Sequence, residues 1–598
     1  MLKQFRRRLA GVDALPQLAV LGLLSGLLAG AVIIVFRLII EYAQTRFLPG
    51  GDTESYEQLS ATTRFLLPTA GGLAIGLIFH AVQKMGGGGV QVGIVHVLER
   101  LAYHQSHLPL RNFILQFVGA TISLISGHSV GREGPGVHLG AASSSLMGQW
   151  LRLPNNSIQT LVACGAAASI AASFNTPIAG VIFAMEVIMM EYTIAGFAPI
   201  ILSAVSATAL TRFVFGAEPA FTVPPLHLAS LFELPYLLVI GLVIGALAAL
   251  FITSLKWLTT FSSQMIIWQR LTLAGFLTGL CALLVPEIMG VGYDTVNQAM
   301  LGQLGVGLLL LIVLFKIMAT TIGLGLGLPG GLIGPTLVIG AAAGGVLGLL
   351  AEAVFPGQVA SPGFYAMLGM GAMMGATLQA PLAALLAMLE LTANPNIILP
   401  GMLAVVVAGI TSSHLFRCES VFLTLLKARG LDVRNDPITQ LLRKVGVASA
   451  LDPAFIHADR IIDINSAKNL LKHQPQWVIV IDNSETNEQE ANTKTNVLLL
   501  ASDLANYLSS QTQNQDEEAE AHAQAIDLLD IPAQRETLAL INQQATLQQA
   551  LDIMDEKKVN ALCVSIHQTD DATDIIGIVT RQTVESHYRS GITGKHKA

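Results

Sequence analysis

Charged side chains are scarce in this 598-residue chain: Asp, Glu, Lys and Arg make up 12% of it, while 52% is apolar and the mean hydropathy is +0.60. Soluble globular proteins carry about 25% charged residues, so there is too little charge here to coat a soluble surface. Large aromatics are scarce as well, with four Trp and nine Tyr against 56 Gly. Helices rich in small residues can approach closely, as they do in membrane bundles, where no hydrophobic effect drives helix to helix. Basic patches are missing beyond a short N-terminal cluster and the net charge is −7, which excludes nucleic acid as a partner. The four cysteines, Cys164, Cys281, Cys418 and Cys563, stand far apart without CxxC or Cys/His spacing, so neither a disulfide nor a metal site is expected. GxSxG, HExxH and paired Asp are absent from the apolar segments, which argues against a membrane-embedded enzyme.

What is present is a succession of apolar segments from Leu15 to about Leu426. Many are shorter than the roughly 20 residues of a straight span, and Gly or Pro interrupts them. Irregular backbone at membrane depth is tolerated where protein buries it or it lines a cavity, so the breaks point to a transport pathway through tilted, broken helices. Residues 1–14 read as a basic helix; no small-residue cleavage site ends the first apolar run, which is expected to be a retained span. Lys3, Arg6, Arg7 and Arg8 place that end in the cytoplasm and the loop 47–62 outside. After Gly430 the chain becomes polar, with apolar runs of strand length, as expected of a soluble α/β domain. The acidic stretch around DEEAEA, assigned to 511–527, reads as a linker between two similar halves at 447–510 and 528–590, with a tail at 591–598; a binding tail is the other reading.

The apolar region repeats itself. GREGPGVHLGAASSSLMG (Gly131–Gly148) and GLIGPTLVIGAAAGGVLG (Gly331–Gly348) share seven identities at a constant offset of 200. NTPIAGVIFAME (Asn175–Glu186) and QAPLAALLAMLE (Gln379–Glu390) align at Pro, Ala and Glu with an offset of 204. The fold expected is therefore an all-α polytopic membrane domain, 15–430, of two homologous halves, about 15–215 and 233–430, followed by the α/β domain. Such repeats in transporters are often inverted, meeting near the midplane at discontinuous helices.

In each half a Gly-rich turn enters Pro135 or Pro335, read as the first position of a helix, where a missing N–H is not needed. A helix N-terminus offers unpaired N–H groups and about +0.5 of a charge, enough to hold an anion weakly. Close packing is the alternative reading of these glycines and prolines. Glu133 lies in the first turn, where its carboxylate could take the anion's place and leave on protonation; an ion pair with Arg132 is the competing reading. The matching position in the second half is Ile333. His128 and His138, which flank the motif, read as packed or interfacial residues.

GREGP (Gly131–Pro135), FNTPIAG (Phe174–Gly180) and GGLIGP (Gly330–Pro335), in this order and spacing, resemble the CLC family of chloride channels and proton-coupled chloride exchangers. The resemblance implies a homodimer in the lipid bilayer of the cell (plasma or inner) membrane, one anion pathway per subunit, both termini cytoplasmic, chloride or another small anion as the transported species, and Glu133 as the gating glutamate. It places the anion among Gly87, Gly88, Gly89, Gly131, Arg132, Glu133, Gly134, Pro135, Gly331, Leu332, Ile333, Gly334 and Phe422. Two departures stand out: Gly88 replaces a Ser and Phe422 a Tyr whose hydroxyls the family uses, leaving backbone donors and water. A third is Val187, where coupled members carry an internal proton glutamate; this favours channel-like conduction over a proton-coupled antiporter, for which Glu186 and Glu191 are the candidate proton carriers, Glu191 lying four residues on and so one turn along the same helix face, with an interfacial charge as its other reading. The C-terminal halves resemble paired cystathionine-β-synthase (CBS) domains, IGIVT (Ile576–Thr580) being typical of the second. Nucleotide-binding members use a Thr and an Asp three residues later, whereas Leu500/Asp503 and Thr580/Thr583 each lack one of the pair; a structural or dimerising role is favoured over adenosine-nucleotide binding, and no cofactor is required. A CBS-based membrane sensor is the remaining alternative.

Overall fold

The computed structural model describes residues 14–49, 53–86, 89–192, 194–217, 228–431, 437–482, 495–513, 525–566 and 575–593, with Leu9 and Phe221 besides. The chain forms two compact units, one of Leu15–Leu151 with Ile158–Val433 and one that is mainly Arg434–Ala598. The expected basic helix at 1–14 lies almost wholly outside the described residues.

The first unit is helical. Its first half runs through α1 (Leu15–Phe47), α2 (Ala61–Lys84), α3 (Ile94–Tyr103), α4 (Leu110–Ile125), α5 (Glu133–Trp150), α6 (Asn155–Phe174), α7 (Pro177–Phe183) and α8 (Ile194–Phe215). The second half repeats the series as α9 (Leu234–Ser262), α10 (Ile267–Leu284), α11 (Tyr293–Met300), α12 (Val306–Gly325), α13 (Ile333–Val354), α14 (Pro362–Leu378), α15 (Pro381–Thr392) and α16 (Ile398–Ile410), and α17 (Val421–Ala428) follows. Among the described residues nine helices are long and apolar enough to cross a membrane. Others, such as α3, α7 and α11, are far too short to span, as the broken apolar pattern predicts.

The halves meet through reciprocal contacts, and the residues that make them can be named. Gly131 N donates to Gly331 O at 2.7 Å and Gly331 N to Gly131 O at 2.8 Å, an antiparallel bridge between a residue and its own repeat mate. Glu186 accepts from the backbone of Leu382 and Ala383, and Glu390 accepts from Ile178 and Ala179, each bond being the other's copy. Helix crossings are duplicated too. A Cβ on Gly140 would lie 2.3 Å from Gly165 O where α5 meets α6, and one on Gly340 would lie 2.3 Å from Gly369 O where α13 meets α14. Backbone has replaced side chain at both crossings, which is why the small residues recur at the repeat spacing. One expectation is corrected: α5 and α13 begin at Glu133 and Ile333, so Pro135 and Pro335 occupy the third helical position. The ring still fits, because the first four N–H groups of a helix have no intrahelical acceptor.

The second unit carries two copies of a β-α-β-β-α series. The first copy is β1 (Phe455–Asp459), α20 (Ile464–Lys472), β3 (Trp477–Asp482), β4 (Thr495–Leu500) and α21 (Ala501–Gln513); the short helices α18 (Pro437–Arg443) and α19 (Val447–Ala450) precede it. The second copy is β6 (Arg535–Asn542), α22 (Leu547–Lys557), β7 (Ala561–Ser565), β8 (Ile575–Thr580) and α23 (Arg581–Thr593). They share one six-stranded sheet of order β1-β3-β4-β6-β7-β8, joined by the antiparallel pairing of β4 with β6. β2 (Ile461–Asp463) pairs with β5 (Ala525–Asp527) in a separate ribbon. The expected linker is therefore shorter than 511–527: Gln511–Gln513 finish α21 and 525–527 form a strand, while 514–524 lie outside the described residues. The tail likewise gives up its first residues to α23, which ends at Thr593.

Gly340→Leu or Gly369→Leu should lower the thermal stability of the detergent-solubilised protein by several degrees, since overpacking costs about 1–3 kcal/mol. Gly409→Ala, with nothing within 4 Å of the added carbon, should leave it unchanged; fluorescence-detected gel filtration after heating reads both.

Candidate functional site

The glycine bridge brings the N-termini of α5 and α13 face to face, with Arg132 and Leu332 as their N-caps and no side-chain cap bond on either. Into the gap between them reaches the carboxylate of Glu133, which is completely buried. Its Oε2 accepts from Gly334 N, the second amide of α13, at 3.3 Å, and its Oε1 accepts from the hydroxyl of Tyr293, the first residue of α11. A Cβ on Gly134 would lie 2.6 Å from Gly331 Cα, so the junction has no room for side chains there. Gly131, Glu133, Gly134, Gly331, Leu332, Ile333 and Gly334 are thus assembled at one place.

The ion pair of Glu133 with Arg132 is present but long. The Nε of Arg132 is 3.9 Å from Glu133 Oε1 and makes no hydrogen bond, while its Nη1 is 3.6 Å from Glu41. The guanidinium lies over the Tyr293 ring, 5.3 Å from its centroid. Arg132 and Tyr293, with Arg37, Glu41, Glu54 and Asp294, line a cavity of about 410 Å3 that leads to the junction. Away from the spans, burial raises the Glu54 carboxyl above its ordinary range while Arg132 pulls it back, and burial together with Asp294 pushes Glu57 up to about 7. Ile333 also lines an apolar crevice with Phe174, Phe183, Leu337 and Met374.

A family model described as voltage gated chloride channel matches residues 71–413. The chain belongs to this family. Within it the chain is similar to a Ralstonia nicotianae protein named putative chloride channel protein ClcB-like, 34% identical over 375 residues that cover 62% of this chain and 86% of that one. It is also similar to the H(+)/Cl(−) exchange transporter ClcA of Vibrio cholerae, 33% identical over 299 residues, 48% of this chain and 63% of that one. Among solved structures it resembles a slow cyanobacterial Cl−/H+ antiporter, with a TM-score of 0.60 at 24% identity over 69% of this chain and 98% of the other. A eukaryotic CLC transporter follows it over 96% of this chain and 99% of its own, with a TM-score of 0.57 at 19% identity. The protein is accordingly a multi-pass membrane protein with the CLC fold.

The other residues that the CLC resemblance singles out are placed as follows. Gly87 and Gly88 lie outside the described residues, and Gly89 has open space around it. Phe422 is buried at the start of α17, which packs on α3, α9 and α14. Glu186 is engaged by the first turn of α15 through two backbone amides at 3.3 and 2.8 Å. Glu191 is not one turn along the helix from Val187, as its spacing suggested. A π turn over Ala184–Met189 ends the helix and Met190 takes φ +53°, so Glu191 falls beyond it. His138 Nε2 lies 2.9 Å from His96 Nδ1, and Arg100 donates to His96 Nε2, which makes His96 the donor to His138.

Three residues around the junction were missed by sequence reasoning: Tyr293, Glu54 and Lys316. Lys316 is fully buried in α12 and donates to Ile288 O and Gly290 O at 2.9 and 3.0 Å, fixing the loop that leads into α11. It was visible as a lone charge in the apolar run VGLLLLIVLFKIMATTIGLG. The loop before Tyr293 was visible through the repeat, as Gly290–Tyr293 before α11 copies the Gly-rich loop before α3, but the Tyr itself was not, since its counterpart is Ile94.

Removing the reciprocal caps together, Glu186→Ala with Glu390→Ala, should destabilise the membrane unit by about 1–2 kcal/mol per cap. A thermal-shift series in detergent measures this, and the single variants should each show about half the effect.

Proposed function

We propose that the protein transports chloride or a similar small anion through the α5–α13 junction, with Glu133 as the gate. The observation that carries this reading is the position of the Glu133 carboxylate: a buried negative charge fills the space between two facing helix N-termini, held by an amide and a hydroxyl. An anion in the same space would meet the same helix N-termini. Protonation removes the charge and so the reason for the carboxylate to stay, which opens the pathway. Family membership and the printed names of the relatives support chloride as the species moved.

Channel-like conduction is the first reading of the mode. Val187 is apolar and buried, and Glu186 has both carboxylate oxygens committed to α15, so neither supplies an internal proton site. Proton-coupled exchange by a substitute route is the second reading, supported by the relatives named H(+)/Cl(−) exchange transporters. The two β-α-β-β-α copies in one sheet support a CBS pair. In it Asp503 accepts from Gln534 N and Thr580 pairs with Thr583, internal bonds that support a structural over an adenosine-nucleotide role. A homodimer with cytoplasmic termini, as the family resemblance implies, completes the proposal.

Chloride efflux from proteoliposomes is the direct test: a sensor alone gives none. Glu133→Gln should retain flux and lose its acceleration by acid, and unchanged pH dependence would remove Glu133 from the gate. Tyr293→Phe should raise flux at neutral pH by about tenfold or more, since a hydrogen bond to a charged group is worth about 1.5–3 kcal/mol. Uphill proton movement driven by a chloride gradient separates the exchanger from the channel.

A further inference from the structure

The Tyr293 hydroxyl reaches Glu133 only because the first turn of α11 is held where it is, and a residue far away in sequence holds it. Glu54 Oε2 accepts from Gly292 N at 3.2 Å and from Tyr293 N at 3.1 Å, so one carboxylate oxygen takes both leading amides of α11. Glu54 adopts φ +70°, a left-handed backbone that few residues other than glycine take up. Its own segment is pinned two residues on. Tyr56 is fully buried, its hydroxyl donates to Leu124 O at 2.8 Å and accepts from Gln44, and its ring is wedged between Gly127 and Gly290. Those glycines belong to the loops that lead into the junction from either repeat, and Gly290 N donates to Gly127 O at 3.2 Å. The charged groups facing Glu54 are Arg132 from the α5 cap, Asp294 from α11 and Lys316 from α12.

We propose that Glu54 is a positioning residue for the gate: the loop 53–60 straps the N-terminus of α11 in place and thereby keeps the Tyr293 hydroxyl on Glu133. The proposal rests on the reading of Glu133 as the gate. It assigns a role to the acceptor oxygen of Glu54 rather than to its charge, because a single oxygen makes both bonds. A Gln side chain, whose carbonyl oxygen can take both amides, preserves the strap; an Ala side chain abolishes it.

The test is chloride efflux from proteoliposomes of the full-length protein at neutral pH. Glu54→Ala should raise flux about five- to thirtyfold by freeing Tyr293, and Glu54→Gln should stay within about twofold of wild type. Placed on Glu133→Ala, which has no carboxylate for Tyr293 to hold, Glu54→Ala should add nothing. Glu54→Asp, too short by a methylene to reach both amides, is read in the same way if the Ala variant does not fold. The proposal is overturned if Glu54→Ala matches wild type, if its effect persists on Glu133→Ala, or if Glu54→Gln behaves as Glu54→Ala. If Glu133→Ala itself matches wild type, the gate reading falls and this proposal with it; a Glu133→Ala effect without a Glu54→Ala effect removes only the strap.

Discussion

Gly131 and Gly331 exchange amides and carbonyls at 2.7 and 2.8 Å, and a Cβ on Gly331 would sit 2.6 Å from Gly134 N. Two chain segments can meet this closely only where both have dispensed with side chains. The consequence spreads outward from the bridge. Because each glycine is followed by a helix that starts two residues later, the meeting of the glycines forces two helix N-termini to face one another inside the protein. Neither end has a side-chain cap, so amides that would ordinarily find a Ser or Asp oxygen are left pointing into the gap. The amides make the junction electropositive alongside the guanidinium of Arg132, the N-cap of α5, and the surrounding helices are tied by the reciprocal caps of Glu186 and Glu390.

A carboxylate with no exposure is costly unless several donors satisfy it. Glu133 finds its donors in the second repeat, Gly334 on α13 and Tyr293 on α11. Arg132, its neighbour in sequence, is turned instead across the Tyr293 ring and towards Glu41. This division is informative. An Arg in a close, bidentate pair with Glu133 would fix the side chain firmly, whereas one hydroxyl and one long amide bond hold it less tightly.

The membrane architecture was legible because its signals are long and redundant: apolar runs interrupted by Gly and Pro, and a repeat whose offsets of 200 and 204 hold over many residues. Glu133 was legible for a related reason, as an acid inside an apolar stretch at the head of a helix. What surrounds it was not. Tyr293 and Glu54 lie 160 and 79 positions from Glu133 in the chain, and nothing local marks a Tyr at the start of a short helix, or a Glu in an acidic loop, as converging on one carboxylate. The Glu191 expectation failed because helix periodicity was carried through Met190, and a π turn ending in a left-handed residue resets the phase without leaving any mark in composition. The proline positions were misread by two residues for the opposite reason: the pattern was clear, but the rule that favours Pro at the first turn does not say which of its positions is occupied.

The duplicated frame is occupied asymmetrically, and electrostatics accounts for that. The frame duplicates the helix N-termini, the glycines and the prolines, yet Glu133 has Ile333 as its counterpart and Tyr293 stands where the first half has Ile94. A second carboxylate at 333 would share a desolvated junction with the first, and two like charges in such a place cannot both remain ionised. One of them would have to stay protonated, and its hydroxyl would then bond to the other and lock the pair. Leaving one half apolar keeps a single carboxylate at the junction. The repeat supplies a symmetric cradle for a negative charge, and the difference between Glu133 and Ile333 decides that the protein itself provides only one.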